Sequence, residues 1–229
     1  MTVGIMQPYF LPYIGYFQLI NAVDQYVIYD DVQFIKGGWI NRNHILLNGE
    51  QHLINLILSG ASSNKKINEI EVQPKQTKLI KVIESAYKKA PHFNVVFPLV
   101  LKIMEFENRA LGAFLGNSLA VLCKYMSIDT ALIFSSMLQK DNALKSQDRV
   151  LHIAELLGAN SYLNAIGGQD LYDKEDFKNQ NINLQFLKSQ FTVYPQFRKE
   201  FVPHLSILDV LMFNSVEEIQ PMLKAYEII

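Results

Sequence analysis

Residues 3–31 read VGIMQPYFLPYIGYFQLINAVDQYVIYDD and contain the signals that decide the fold. Residues 3–6 are a short apolar run, residues 13–23 carry apolar side chains at helical spacing, and residues 26–29 are a β-branched and aromatic run. These patterns predict a strand, a helix and a second strand. Such a unit normally forms two parallel strands with a right-handed crossover, and its ligands gather at the carboxyl ends of the strands. We therefore expect the functional site to be built around the first ~45 residues.

The rest of the chain predicts an inserted hairpin, a group of helices and further strands. Asn48-Gly49 is a strong hairpin signal because both residues tolerate positive φ, and it separates strand-like residues 43–47 and 51–58. Helices are predicted over residues 76–89, 93–106, 108–126, 146–157, 207–213 and 216–226, and strands over 67–72, 131–134, 161–163 and 182–187. The predicted fold class is α/β, with a mainly parallel Rossmann-like sheet, an inserted β-hairpin and a helical layer. We expect one domain over residues 1–229, with a helical subregion at 76–126.

The composition is that of an ordinary globular protein. Of 229 residues, 49% are hydrophobic and 19% are charged, and the formal net charge is -1 without a run of five like charges. This balance favours neither nucleic acid nor an anionic membrane as a partner. The single cysteine, Cys123, excludes a disulfide within the chain. The sequence has no secretory signal and no apolar run of 18 residues, so we expect a cytoplasmic protein without membrane insertion.

Asp30 and Asp31 directly follow the second predicted strand. At such a strand end, one carboxylate can bind a ribose hydroxyl, a metal ion or an amine, and the other can cap the next segment. A pair of turn carboxylates is the alternative. No tightly bound cofactor is indicated, and the five histidines lack metal-ligand spacing. If the ligand is a nucleotide, Asp30 or Asp31 could hold Mg²⁺ together with phosphate oxygens.

A second set of candidates precedes the predicted hairpin. Arg42 lies between two asparagines, where its guanidinium could bind a phosphate or a carboxylate through two hydrogen bonds, and a surface arginine is the alternative. Trp39 follows residues 36–38 (KGG). Its indole could stack on a base or a sugar, and the alternative is that it only anchors the loop. Both residues extend the predicted site towards the hairpin.

Two segments later in the sequence are also candidates for binding or catalysis. Gly167-Gly168 follows a predicted strand and could present backbone N–H groups to an anion, and a simple turn is the alternative. His204, Ser206 and Asp209 are the residue types of a hydrolase triad, but they lie too close in sequence to form one. Ser206 with Asp209 instead fits a variant capping box, and His204 is kept as a candidate general base.

Several segments together resemble the WbqC-like family of bacteria. They are residues 6–20 (MQPYFLPYIGYFQLI), 30–34 (DDVQF), 39–43 (WINRN), 167–172 (GGQDLY), 194–196 (YPQ) and 203–209 (PHLSILD), so the resemblance covers essentially the whole chain. Genes of this family are often found among those for surface polysaccharide and lipopolysaccharide O-antigen synthesis. Gln33, Asn43 and Gln196 lie in these segments and join Gln7 and Tyr9, near the end of the first strand, as candidate substrate-binding residues.

Residues 11–16 (LPYIGY) also resemble the His-Ile-Gly-His signature of nucleotidylyltransferases and class I aminoacyl-tRNA synthetases. In those families the motif opens a helix after the first parallel strand and binds a nucleotide phosphate, and its glycine lets the nucleotide approach closely. The resemblance implies binding roles for Tyr13, Gly15 and Tyr16. Both histidines of the signature are tyrosines here, which donate hydrogen bonds but do not act as imidazolium ions at neutral pH.

Members of the WbqC-like family have been suggested to transfer glycine or another acyl group to a sugar. The resemblance therefore implies an enzyme that transfers an acyl or aminoacyl group to a nucleotide-linked amino sugar, with a small-molecule nucleotide sugar or an activated acyl donor, free or carrier-linked, as its partner. In this reaction the activated ligand would be bound by Gln7, Tyr9, Tyr13, Tyr16 and Arg42. The attacking amine would be deprotonated by Asp30, Asp31 or His204. We expect Gln7, Tyr16, Asp30 and Arg42 to converge on one cleft. Nucleotidyl or adenylyl transfer and non-catalytic binding of a nucleotide or carbohydrate are the alternatives, and the sequence indicates no oligomeric state.

Overall fold

The computed structural model describes residues 1–198 and 200–229. Its strands are β1 (Thr2–Met6), β2 (Gln25–Ile28), β3 (Arg42–Leu47), β4 (Glu50–Asn55), β5 (Leu58–Ser59), β6 (Glu71–Val72), β7 (Ala131–Phe134), β8 (Ser161–Ala165), β9 (Asn183–Ser189) and β10 (Tyr226–Ile228). Its helices are α1 (Ile14–Asn21), α2 (Thr77–Tyr87), α3 (Phe93–Met104), α4 (Leu111–Tyr125), α5 (Ser146–Leu156), α6 (Lys174–Asn179), α7 (Ile207–Phe213) and α8 (Val216–Leu223). The predicted strand-helix-strand unit is confirmed as β1, α1 and β2.

Within the described residues, six strands form one sheet in the order β10-β9-β8-β1-β2-β7. The pairs from β9 to β7 are all parallel, and β10 alone joins the edge in the antiparallel direction. The mainly parallel Rossmann-like sheet is therefore confirmed. From β1 the chain extends the sheet through β2 and β7, and then returns to the other side of β1 with β8 and β9. The strand order thus reverses at the carboxyl ends of β1 and β8, which is where open α/β sheets bind ligands.

Helices cover both faces of the sheet. On one face, Val3, Ile5 and Val27 pack against side chains of α5 and α6. On the other face, Tyr26 and Ile28 belong to a larger cluster that includes side chains of α1 to α4, α7 and α8. This alternation follows from the two-residue period of a strand. No helix in the described ranges has the length and apolar character that are needed to cross a membrane.

The predicted hairpin forms outside the main sheet, from β3 and β4. Its two turn residues are Asn48 and Gly49, with φ of 53° and 80°. The second strand was predicted to reach residue 58 but ends at Asn55. The reason is that the side chain of Gln76 binds Ile57 instead, accepting from its N–H at 3.1 Å and donating to its carbonyl at 3.0 Å.

Two other predicted elements are wrong in part. Residues 67–69 form a single 3₁₀ turn, and only β6 is extended, because the Glu69 carboxylate accepts from the Lys66 N–H at 2.8 Å and the Ile70 N–H donates to the Ile67 carbonyl at 3.3 Å, which closes the turn. The last helix stops before residue 226, and β10 follows it. There the buried amide of Gln18 donates to the carbonyls of Met222 and Ala225 at 2.8 and 2.9 Å, which ends the helix and directs the chain to the sheet edge.

Gly116 of α4 faces Phe134 at the end of β7 and leaves no room for a side chain. A Cβ atom on Gly116 would lie 2.3 Å from Cζ and 2.6 Å from Cε1 of the Phe134 ring. We expect Gly116→Ala to lower the free energy of unfolding by about 1–2 kcal/mol, because displacement of the ring outweighs the better helix propensity of alanine. Urea unfolding measures the change. Gly167→Ala is the control, since a Cβ there meets no atom within 4 Å, and an equal loss in both variants would contradict this packing.

Candidate functional site

A cavity of about 360 Å³ opens between the loop that follows β1, the hairpin and the segment before α7. It brings together five residues that the sequence singles out, namely Tyr9, Tyr13, Trp39, Asn43 and His204. The other residues that line it are Pro12, His44 and Gln51. In the described part of the chain this lining contains no carboxylate, ammonium or guanidinium group, so the cavity presents aromatic rings, amides and imidazoles.

The loop of residues 7–13 is held through its carbonyl oxygens. The Leu11 carbonyl accepts hydrogen bonds from Asn43 Nδ2 at 2.7 Å and from Ser206 Oγ at 2.8 Å, and the Pro12 carbonyl accepts from the Ile207 N–H at 2.8 Å. Leu11 has a φ of 44°, a left-handed conformation that costs a residue other than glycine about 1–2 kcal/mol. The hydrogen bonds offset this cost. The loop is therefore fixed between β3 and the start of α7.

Two imidazoles reach the cavity, one from β3 and one from the segment before α7. The Ser206 N–H donates to the His44 carbonyl at 2.7 Å and joins these two segments. His204 is exposed and has a φ of 60°. Its ring packs edge-on against Phe191, with centroids 4.4 Å apart, and lies 6.3 Å from the ring of Tyr13. The backbone link thus places His44 and His204 on the walls of one cavity.

Tyr13 covers the first turn of α1. A Cβ atom on Gly15 would lie 2.3 Å from Cε2 and 2.8 Å from Cζ of the Tyr13 ring, so this ring occupies the space that the glycine leaves open. In the His-Ile-Gly-His signature, the corresponding space admits a nucleotide, whereas here the chain's own tyrosine fills it. Burial raises the pKa of Tyr13, which keeps its hydroxyl neutral and able to donate and accept hydrogen bonds.

Tyr16 lies in the core rather than on the cavity. It is 1% exposed, and its ring packs against Tyr26 with centroids 5.7 Å apart. Its hydroxyl donates to the Gln7 carbonyl at 2.9 Å, and burial raises its pKa. Tyr16 therefore supports the loop at Gln7 from inside the fold.

Trp39 forms one wall of the cavity, and Arg42 supports it. The Arg42 guanidinium lies 5.7 Å from the centre of the indole and donates a hydrogen bond to the Gly37 carbonyl. The indole also contacts the ring of His44 edge-on, with centroids 5.5 Å apart. Trp39 is 46% exposed, so a ligand can reach its ring. Arg42 is placed to orient the indole and does not itself line the cavity.

Asp31 lies beyond the carboxyl end of β2 and is bound by cations. It accepts a hydrogen bond from Ser135 Oγ at 2.7 Å, pairs with Lys140 Nζ at 2.8 Å and also pairs with Arg149. Burial disfavours the charged carboxylate, but the hydrogen bonds from Lys140 and Ser135 and the charge of Arg149 outweigh it and lower the pKa of Asp31. The carboxylate is thus held ionised within a network of its own.

Asp30 has a separate set of partners. Its carboxylate accepts hydrogen bonds from the N–H and the hydroxyl of Ser136 at 3.0 and 2.7 Å. The structure does not bring Gln7, Tyr16, Asp30 and Arg42 together on one cleft, and none of the four lines the cavity. The reason is that the loop turns Tyr9 and Tyr13 to the cavity, while Tyr16 and Asp30 are buried with partners inside the protein.

Gln196 binds its own loop. Its Oε1 accepts from the Val202 N–H at 2.8 Å, and its Nε2 donates to the Val202 carbonyl at 3.1 Å and to Asp209 at 2.6 Å. The buried Asp209 carboxylate also accepts from the hydroxyls of Tyr87 and Tyr194 at 3.0 and 2.9 Å. Burial raises the pKa of Asp209. This network fixes the segment that leads to α7.

Ser206 caps α7, but the predicted capping box with Asp209 is wrong. Ser206 Oγ accepts from the Leu208 N–H at 3.3 Å. A capping box also needs a bond from the Ser206 N–H to the Asp209 carboxylate. This bond is missing because the Ser206 N–H donates to the His44 carbonyl, and the Asp209 carboxylate binds Tyr87 and Tyr194.

Gln33, another predicted binding residue, is exposed and lies outside the cavity lining.

His44 and Gln51 line the cavity, although neither was predicted from the sequence as a site residue. In the hairpin, Gln51 pairs with Leu46, two residues beyond His44 on the same strand. The side chains of His44 and Gln51 therefore lie on the same face. The register set by the Asn48-Gly49 turn is the signal that could have identified them.

Known proteins that are similar to this chain match almost its full length. The model of the WbqC-like protein family matches residues 7–221. An uncharacterized protein of Mycobacterium tuberculosis is 27% identical over 217 residues, which cover 93% of each chain. No solved structure gives a match.

Asn43→Ala removes one of the two donors that hold the Leu11 carbonyl. We expect the free energy of unfolding to fall by about 1–3 kcal/mol, because the Leu11 carbonyl loses one of its two donors and the His44 N–H loses the Asn43 side chain that accepts from it at 2.8 Å. Amide hydrogen exchange in residues 7–13 should also become faster. Asn41→Ala is the control, since its amide donates to the Leu56 carbonyl, at 3.2 Å, outside this loop. Unchanged stability and exchange in Asn43→Ala would contradict the proposed clamp.

Asp31→Asn leaves two buried cations without their carboxylate, and we expect a loss of about 3–5 kcal/mol at neutral pH. Because the pKa of Asp31 is lowered on folding, its stabilisation is complete above the unfolded-state pKa and is lost as the pH falls through the folded-state pKa. The variant should therefore lose less stability on acidification than the wild type. Urea unfolding at several pH values tests this. Asp24→Asn, at an exposed carboxylate that accepts from the Thr2 N–H at 2.7 Å, is the control, and equal behaviour of both variants would reject the role of the cations.

Proposed function

The chain belongs to the WbqC-like protein family, and we propose that it transfers an acyl or aminoacyl group, such as glycyl, to a nucleotide-linked amino sugar during assembly of a bacterial cell-surface polysaccharide of the O-antigen type. In this proposal the sugar occupies the cavity between Tyr13, Trp39 and His204. The observation that carries it is the cavity lining, which combines aromatic rings with neutral hydrogen-bonding groups.

The size and the chemistry of the cavity favour a sugar ring. Sugars have apolar faces that stack on aromatic rings and polar edges that need hydrogen bonds. Trp39 and Tyr13 supply the rings, and Gln51 and His44 supply groups that can donate or accept. A volume of about 360 Å³ lies within the range of small-ligand sites. The absence of charged groups from the described lining favours a neutral part of the substrate there rather than its phosphates.

The proposed reaction forms an amide. The uncharged amine nitrogen of the sugar attacks the carbonyl carbon of an activated acyl donor, a C–N bond forms, and the leaving group departs with the electron pair of its bond to carbon. The nitrogen loses one proton, which His204 accepts as general base and returns to the leaving group. Imidazole suits this step because it exchanges protons near neutral pH.

The alternative of nucleotidyl transfer finds less support in this site. The ring of Tyr13 lies where the signature glycine would admit a nucleotide. Tyr16, in the position of the second signature histidine, is buried and bonded to the Gln7 carbonyl. In this segment Tyr16 therefore serves packing, and Tyr13 lines the cavity while it fills the space beside Gly15.

Mass spectrometry tests the proposal directly. Nucleotide-linked amino sugars are incubated with the protein and with a panel of acyl thioesters and aminoacyl donors, and a mass increase of one acyl group is expected. We expect His204→Asn to lower the transfer rate by about 10²–10⁴-fold, because the general base is lost. His52→Asn is the matched control, since His52 is exposed on β4 outside the cavity lining.

Three outcomes would count against the proposal. Saturable binding of the sugar without transfer from any donor would favour a non-catalytic carbohydrate-binding protein. Pyrophosphate release from a nucleoside triphosphate would favour nucleotidyl transfer. Full transfer activity in His204→Asn would exclude this residue as the base.

A further inference from the structure

A cluster of buried charged side chains lies near the carboxyl ends of β2 and β7, outside the cavity. It consists of Asp31, Lys140 and Arg149, and we call it the cationic cluster. Lys140 comes from the segment between β7 and α5, and Arg149 comes from the start of α5. We infer that the cationic cluster binds a phosphate group of a small-molecule ligand. This site goes beyond the proposed function and does not depend on it.

The cluster holds more positive than negative charge. Across the described ranges, the carboxylate that pairs with both Lys140 and Arg149 is Asp31. The side chains of Lys140 and Arg149 are 1% and 10% exposed. The adjacent carboxylate of Asp30 accepts hydrogen bonds from Ser136 and, at 3.5 Å, from the amide of Asn68, and it is not paired with either cation. Because buried charges in proteins are paired, two cations around one carboxylate indicate that an anion completes the site.

Arg149 also has one buried hydrogen-bond donor, its Nε–H group, that is not paired within the described part of the chain. Its Nη2 donates to Asp31, whereas its buried Nε–H has no acceptor among the residues that the structure describes. A guanidinium binds phosphate through two parallel N–H groups. Buried donors are rarely left unpaired. The orphaned Nε–H is therefore a second and independent indication of an anionic ligand.

Two tyrosines extend the cluster towards β1 and β8. The Arg149 guanidinium lies 5.5 Å from the ring centre of Tyr29, and the Tyr29 N–H donates at 2.9 Å to the carbonyl of Met6, the last residue of β1. The second tyrosine, Tyr172, lies near Tyr29. Its hydroxyl accepts a hydrogen bond from the hydroxyl of Tyr162 at 3.3 Å. Burial raises the pKa of Tyr29 to about 12, so its hydroxyl stays protonated and can donate to a phosphate.

The place of the cluster in the sheet supports the same ligand class. Tyr29 lies beside the end of β1, and the strand order reverses between β1 and β8. Open α/β sheets bind ligands at this reversal, and dinucleotides with their phosphates are among them. A free diphosphate and a nucleoside diphosphate share the required chemistry, and the experiment below separates them.

Thermal unfolding of the full chain with added anions tests the inference. The probes are inorganic pyrophosphate and uridine diphosphate, with sodium chloride at equal ionic strength as the reference. We expect the Tm of the wild type to rise by about 5 °C or more at about a hundredfold excess over Kd. Arg149→Gln should fold, because Asp31 and Lys140 still pair, and should lose this shift. Arg149→Lys keeps the positive charge but loses the planar guanidinium with its parallel N–H donors, and this variant should retain only part of the rise in Tm.

Arg109→Gln is the control for a general loss of positive charge. Arg109 donates to the Met104 carbonyl at 2.9 Å and lies over Phe114, so it is not part of the cluster. Equal shifts with both probes would assign recognition to the phosphates, and a larger shift with uridine diphosphate would assign a further part to the nucleoside. An anion-dependent shift that persists in Arg149→Gln, or no shift beyond chloride in the wild type, would overturn the inference. The readout is binding, so failure of the acyl-transfer proposal would leave it unchanged.

Discussion

Asn43 and Ser206, far apart in the sequence, hold one carbonyl oxygen, that of Leu11, at 2.7 and 2.8 Å. Without these bonds the left-handed conformation of Leu11 would be unfavourable, and residues 7–13 could adopt other conformations. The bonded loop directs Tyr9 and Tyr13 outwards to the cavity and leaves Tyr16 inside the core. The candidate site thus depends on contact between the hairpin and the start of α7, and the sheet alone does not build it.

Most of the fold could be predicted because its signals are local. The apolar run of β1, the β-branched and aromatic run of β2, the helical spacing of α1 and the turn at Asn48-Gly49 are each visible in a few neighbouring residues. The edge strand β10 could not be predicted in this way. It pairs with β9, and the turn that leads to it is held by the amide of Gln18, in the first helix, which donates to the carbonyls of Met222 and Ala225. These contacts join residues that are 204 and 207 positions apart in the sequence.

The candidate site could be predicted only in part. Tyr13 and Tyr16 lie in one short segment and are chemically identical, yet one lines the cavity and the other is buried. Their separation depends on the conformation of the loop, which Asn43 and Ser206 impose from elsewhere in the chain. Likewise, the sequence around Asp31 does not indicate that its carboxylate is paired, because its partners Lys140 and Arg149 lie more than 100 residues away in the chain. Long-range partners, rather than residue types, decide these roles.

Binding of a sugar in the cavity beside Trp39 can be measured directly, because Trp39 is the single tryptophan of the chain. All tryptophan fluorescence therefore reports on this wall. Titration of the protein with a nucleotide-linked amino sugar should give a saturable change in emission, and Tyr13→Ala should weaken it. Calorimetric binding of the same sugar without any change in the emission of Trp39 would contradict the account, because the sugar would then bind elsewhere.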